Sequence, residues 1–200
     1  MDQTETMEHR QYSDADFSGG DLTGGIYIKC TFRACDFQDC ILEGCRFTDC
    51  VFHLCEFGGS IFRRCEMTNC TFRLCSFFSA EFRDCKLLGS SFSECSTIGL
   101  LLQGGNWSYT VLRFIDFSKG DLSGINFQGA DLTGCDFTSA NLSGCSLRQA
   151  VVHQAVFRKA DLRGADTLGA DLLSATVKET RIDLQTAVQL AEQLGFQVDL

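Results

Sequence analysis

Large apolar residues recur at every fifth position of this chain. From Tyr12 they run through Phe17, Leu22, Tyr27, Phe32 and Phe37 to Leu172, Val177 and Ile182, and the phase never slips. Of these 35 positions 15 are Phe and 11 are Leu, so one phase holds 15 of the chain's 18 phenylalanines. The position two residues earlier is small. It holds all 13 cysteines, from Cys30 to Cys145, and then Ala130, Ala140 and every fifth residue from Ala150 to Ala175. A period of five is neither the 3.6 of a helix nor the 2 of a strand. Each unit turns one small and one large side chain inward and three outward, so the chain must bend once per unit. Glycine is concentrated where that bend falls: 13 of 19 lie two residues after the large position, Gly44, Gly124 and Gly144 among them. Gly tolerates the positive φ that such turns require. The pattern predicts an all-β solenoid whose stacked coils share one core.

Outward positions suggest the number of sides. At a period of 20, Arg33, His53, Arg73, Arg113 and His153 fall in one column, and Asp16, Asp36, Glu56, Asp116 and Asp136 in another. This favours four pentapeptides per coil. The acidic column is broken at Ser76 and Ser96. It is the candidate partner-binding face, weighed against a surface that merely solvates the protein.

The cysteines first suggest a metal cluster or disulfides. A metal site needs ligands converging at fixed distances, whereas here Cys and Ala exchange at one slot, which makes the thiols small packing residues. No cofactor or metal is expected.

The repeat weakens once, over residues 96–115, where Thr97 and Trp107 take large positions and Leu100, Thr110 and Ile115 small ones. Either a bulge that shapes a binding surface or a coil repacked around Trp107 fits this stretch. Residues 1–11 read as a disordered or loosely attached tail and residues 12–182 as the solenoid. Residues 183–200 form a separate module: Asp183 as N-cap, a helix with Leu184, Val188 and Ala191 on one face and Ala187 and Leu194 beside it, then Gly195 as stop. Phe196, Val198 and Leu200 alternate like a short strand. The module caps the open end of the solenoid, and its apolar residues Leu184, Val188, Ala191, Leu194 and Phe196 are the candidate dimer interface.

The formal net charge of −9 argues against direct nucleic-acid binding, which needs clustered Lys and Arg, and suits a basic protein partner. The N-terminal residues lack signal-peptide features, no apolar run is long enough to span a membrane, and 13 unpaired-looking cysteines fit a reducing cytoplasm. An enzyme is not expected. No nucleophile–base pair, P-loop or dinucleotide turn is present, and His53 and His153 would lie five coils apart, about 24 Å at strand spacing.

Units such as "ADLTG", "CDFTS", "ANLSG" and "ADLRG" resemble the pentapeptide-repeat family, with its A(D/N)LXX motif. The resemblance implies a right-handed quadrilateral β-helix with a short C-terminal α-helix, a rod of about 40 Å at strand spacing. The C-terminal module and "GGNW" at 104–107 are similar to the gyrase-interacting branch of MfpA, Qnr, McbG and AlbG-like topoisomerase-poison resistance proteins. That similarity implies a C-terminally joined homodimer that mimics duplex DNA, binds the A-subunit saddle of DNA gyrase, with topoisomerase IV as a further target, and protects it from a poison. In excess such a protein inhibits gyrase. The alternative is a pentapeptide-repeat scaffold for an unrelated protein partner. Qnr proteins carry loops that project from the coils, and the unbroken phase here leaves no room for them.

Overall fold

The structure, a computed structural model, describes residues 6–198. The chain divides into two compact units after Val111, and both are built from parallel coils of 20 residues. In the first unit, three sides carry ladders of three-residue strands. One joins Thr6–Glu8, Ile26–Ile28, Arg46–Thr48 and Glu66–Thr68; a second joins Gln11–Ser13, Thr31–Arg33, Val51–His53, Thr71–Arg73 and Ser91–Ser93; a third joins Ile41–Glu43, Ile61–Arg63, Glu81–Arg83 and Leu101–Gln103. Partners such as Phe32, Phe52, Phe72 and Phe92 stand in register. The fourth side is held by single parallel bridges from Asp16 through Asp36, Glu56 and Ser76 to Ser96. Four pentapeptides therefore make one coil.

The solenoid starts earlier than Tyr12. Thr6–Glu8 pairs with Ile26–Ile28, with Met7 opposite Tyr27, so residues 6–11 belong to the ladder and not to a loose tail. Met7 is in phase with the repeat, and pairing removes the strand edge that the coil of Ile26 would otherwise leave open. Residues 1–5 of that expected tail lie outside the described residues.

The core follows the fivefold pattern. Tyr12, Phe32, Phe52, Phe72 and Phe92 stack ring on ring at 4.7–4.8 Å, and Phe17, Phe37, Phe57 and Phe77 at 4.7–4.9 Å. That is the strand spacing itself, which offset-stacked rings accommodate. Twelve of the 13 thiols are buried and Cys95 is half-buried. Each donates to a carbonyl 23 residues earlier, as Cys40 does to Phe17 O at 2.7 Å and Cys145 to Leu122 O at 2.7 Å. Burial pushes the Cys135 and Cys145 thiols up to about 12, away from the reactive thiolate. Replacing Cys40 or Cys145 with Ala should preserve the fold and cost about 1 kcal/mol each in a denaturant melt. Metal analysis of the purified protein should find no stoichiometric zinc, and one zinc per chain would overturn the packing role.

Corners do not depend on glycine alone. Among the described residues, positive φ recurs two residues after the large position at 21 non-glycine residues, including Leu54 (φ 58°) and Leu74 (φ 54°). An L-residue pays a small penalty there, and the ladder holds it in place: the Leu54 N–H donates to Arg73 O at 3.0 Å.

The second unit uses tighter sides, most of them a single bridge residue and a turn, with a 3-10 turn at Leu172–Ser174. The Gly120 N–H donates to Phe117 O and the Ala130 N–H to Phe127 O, with positive φ at the third turn residue, as in a type II turn. The difference traces to the outward slot before the large residue. In the strands of the first unit it often holds Ile, Thr or Val, which favour extended backbone. In the second unit it holds Asp or Asn at positions such as 116, 121, 126, 131, 136 and 141, whose side chains stabilise turns.

The irregular stretch is a repacked coil. Trp107 is fully buried, and its indole N–H donates to Gly104 O at 3.3 Å. Gly105 occupies the small slot two residues earlier, where a Cβ would clash with the backbone oxygen of Cys85. Leu100 and Thr110 are buried, Thr110 through a hydroxyl bond to Trp107 O at 2.6 Å. The register is kept, with Lys86 bridged to Asn106 and Ser91 to Val111.

Helix α1 spans Leu184–Gln193, with Asp183 as N-cap accepting from the Thr186 N–H. It ends in a Schellman arrangement: the Phe196 N–H donates to Ala191 O, the Gly195 N–H to Glu192 O, and Gly195 has φ 86°. Residues 196–198 form no strand. The Phe196 N–H is committed to the helix end, so the expected alternation finds no ladder; Leu200 lies outside the described residues.

Candidate functional site

The acidic column is a register feature. Asp16, Asp36 and Glu56 are consecutive bridge partners in the first unit, and Asp116 bridges Asp136 in the second. Asp16, Glu56 and Asp116 are exposed and Asp36 and Asp136 half-buried. The aspartates also have a local role. Oδ1 of Asp36 accepts from the Gln38 N–H at 2.8 Å, that of Asp116 from Ser118 at 2.8 Å and that of Asp136 from Thr138 at 2.7 Å. Asp16 accepts from both the hydroxyl and the N–H of Ser18. These Asx bonds close the turn that follows. The serine hydroxyls, with the backbone N–H groups second, hold the Asp16 and Asp116 carboxyls below the usual range. Asp121, Asp131, Asp161 and Asp171 make the same i to i+2 bond, which is the physical reason the motif carries Asp or Asn in this slot.

The outward carboxylates differ in charge balance. Glu43, Glu66 and Glu81 are ion-paired with Arg64, Arg46 and Arg83, and Glu66 also with Lys86. Among the described residues, none of the five column carboxylates joins an ion pair, and the same holds for Asp21, Asp39, Asp49, Asp84 and Asp121. The neighbouring basic column is partly neutralised, Arg73 by Glu94 at 3.5 Å and Arg113 by Asp131 at 2.6 Å. The column's negative field is thus left uncompensated by direct contact.

The C-terminal module divides its apolar residues. Its inner face is made by Thr186, Leu190, Gln189 and Gln193. Thr186 is buried, the Thr167 hydroxyl donates to Gln189 Oε1 at 2.8 Å, and Gln193 Nε2 donates to Ala170 O at 3.3 Å. Asp183 also accepts from the Gly164 N–H at 2.7 Å, satisfying a donor of the last coils. Of the expected interface residues, Leu184, Leu194 and Phe196 are 72%, 60% and 66% exposed, while Val188 and Ala191 are half-buried. Val177, an in-phase position expected to face inward, is 50% exposed at the end of the repeat, and with Leu173, which the pattern did not single out, it helps line a cavity of about 220 Å³ with Leu162, Leu172, Ile182 and Leu190.

Two further exposed residues escaped the pattern, Phe78 and Ile98. Their signal was present. Phe78, Phe114 and Phe196 are the three phenylalanines outside the core phase, and all three are exposed. Among the described residues no group of three or more His, Cys, Asp or Glu side chains is placed to hold a metal ion, and no helix is long and apolar enough to cross a membrane.

Comparison with known structures gives the same architecture. Two trypsin-treated variants of QnrB1, a plasmid-mediated fluoroquinolone resistance protein, are 22% and 21% identical with TM-scores of 0.77 and 0.78, covering 98% of this chain and all of theirs. HetL, a pentapeptide repeat protein involved in heterocyst differentiation regulation in the cyanobacterium Nostoc sp. strain PCC 7120, is 21% identical with a TM-score of 0.51 over 90% of both chains. No curated protein sequence matches significantly. The family model described as pentapeptide repeats matches eight copies across residues 13–49, 30–69, 101–134 and 135–172. With that coverage and the coil geometry above, the chain belongs to the pentapeptide-repeat family.

Proposed function

We propose that this protein is a DNA mimic that binds DNA gyrase, with topoisomerase IV as a further target, and shields it from a topoisomerase poison, inhibiting the enzyme when in excess. The observation that carries this is a set of outward carboxylates repeating at coil spacing within each unit, Asp16, Asp36 and Glu56 in the first and Asp116 and Asp136 in the second, on a coil fold like that of QnrB1, which is itself a resistance protein. A basic surface built to hold phosphates would attract such a column. The working form is a cytoplasmic homodimer joined at its C-termini, and it has no catalytic role.

The test is DNA supercoiling by purified gyrase with increasing protein, alone and with a fluoroquinolone, albicidin or a microcin. Excess protein should suppress supercoiling, and lower amounts should rescue it from at least one poison. The unbroken fivefold phase, which leaves no room for projecting loops, favours a natural-product poison over a quinolone. Absence of any effect on gyrase or topoisomerase IV would favour the scaffold alternative.

Face specificity gives a sharper result. Neutralising the column as Asp36→Asn, Glu56→Gln and Asp116→Asn keeps the turn acceptors and should weaken gyrase inhibition about tenfold, the scale of three exposed charge pairs. Arg33→Gln, Arg73→Gln and Arg113→Gln should change it much less, and the difference should shrink as salt rises. Equal inhibition by both triple variants would remove the column from recognition.

A further inference from the structure

On the side of the first unit that carries Asp16, Asp36 and Glu56, the carboxylates give way to Ser76 and Ser96 in the next two coils. Apolar side chains appear where the charge stops. Phe78 and Ile98, in the outward column after the large residue, are 55% and 70% exposed. The two coils are directly hydrogen-bonded there, with the Ser79 N–H donating to Ile98 O at 2.9 Å. Before Phe78 the same column holds Gly58, whose missing side chain leaves the edge of the patch open. On the preceding corner Leu54 and Leu74 are 43% and 38% exposed. Both leave apolar surface in water beside Phe78 and Ile98. Exposed apolar surface gathered in this way marks an interaction site.

We propose that this side is a two-part docking surface, in which the carboxylates of the first coils engage a basic rim of the partner and Phe78 and Ile98, flanked by Leu54 and Leu74, insert into an adjoining apolar hollow. The occupant is a folded protein. Duplex DNA is repelled by the neighbouring carboxylates and offers no apolar hollow, and the order of acid then apolar along one side fits a partner with the complementary order. Resting on the gyrase reading above, the inference adds that recognition is not charge mimicry alone: the acidic part supplies the salt-dependent share of affinity and the apolar part a share that salt does not screen.

The experiment measures binding of the labelled full-length protein to gyrase holoenzyme by fluorescence anisotropy at low and high salt. Phe78→Ser with Ile98→Ser should weaken binding about 30-fold or more at both salts, the scale of two buried apolar side chains. Phe78→Leu with Ile98→Val should restore most of it. Both pairs should melt like the parent, because the replaced side chains lie outside the core. A parent that binds with a serine variant within twofold of it overturns the inference and leaves the gyrase reading standing. A parent that does not bind gyrase overturns both.

Discussion

Gly105→Ala is expected to lower the stability of the first unit by about 3 kcal/mol or more, the sum of a strained backbone and an overpacked contact. Gly105 has φ +91°, and an added Cβ would press on the carbonyl oxygen of Cys85 and lie 2.9 Å from its nitrogen. Neither atom can yield. The same Cys85 carbonyl accepts the Asn106 N–H at 2.9 Å, and the fully buried Trp107 packs two residues on. Gly44→Ala and Gly124→Ala are the controls: their φ values are +62° and +68° with nothing within 4 Å of the new Cβ. They should cost only about 1 kcal/mol, the ordinary penalty of an L-residue in the left-handed region. Denaturant unfolding followed by the fluorescence of Trp107, the chain's one tryptophan, reads the coil directly. If Gly105→Ala unfolded at the same denaturant concentration as the controls, the close approach of the Gly105 and Cys85 backbones would not be what holds this coil together.

The sequence was legible as far as its period reaches. The fivefold period determines which side chains face inward, so the stacked rings, the buried thiols and the four sides were all legible. The period also hid the first coil. Met7 is in phase, but the polar residues around it look like a tail, and only the pairing of Thr6–Glu8 with Ile26–Ile28 places them in the ladder. Outward residues were harder, because periodicity does not say what an exposed group touches. Asp36 and Asp116 stood out as charges, yet their first contact is the backbone N–H two residues on. Phe78 lay outside the core phase, a signal that counting the in-phase residues passed over. In α1, a 3.6-residue period locates an apolar stripe without saying which stripe docks. The helix seats Thr186 and Leu190, and the more apolar side, with Leu184 and Leu194, faces outward.

That division of the helix separates capping from association, which a simple truncation would confound. Removing residues 183–200 withdraws the Asp183 acceptor from the Gly164 N–H and the Gln193 contact to Ala170 O, and it uncovers Leu162 and Leu172. The truncated protein should melt earlier and aggregate, whatever its oligomeric state, because the last coil is left with open edges. Leu194→Asp with Phe196→Asp leaves those capping contacts intact and places charge only on side chains that are 60% and 66% exposed. If the outward stripe joins two copies, the full-length protein should be a dimer at micromolar concentration by light scattering. The double variant should then be a monomer that melts close to the parent when each is measured at its dissociation limit, since dimerisation itself raises the apparent melting temperature. A charge forced into an isologous apolar contact meets its own symmetry mate, so each substitution acts twice. Gyrase inhibition should fall with the dimer in both variants, but only the truncation should also lose solubility. A monomeric full-length protein at that concentration would leave α1 as a cap alone and would require one copy to carry recognition.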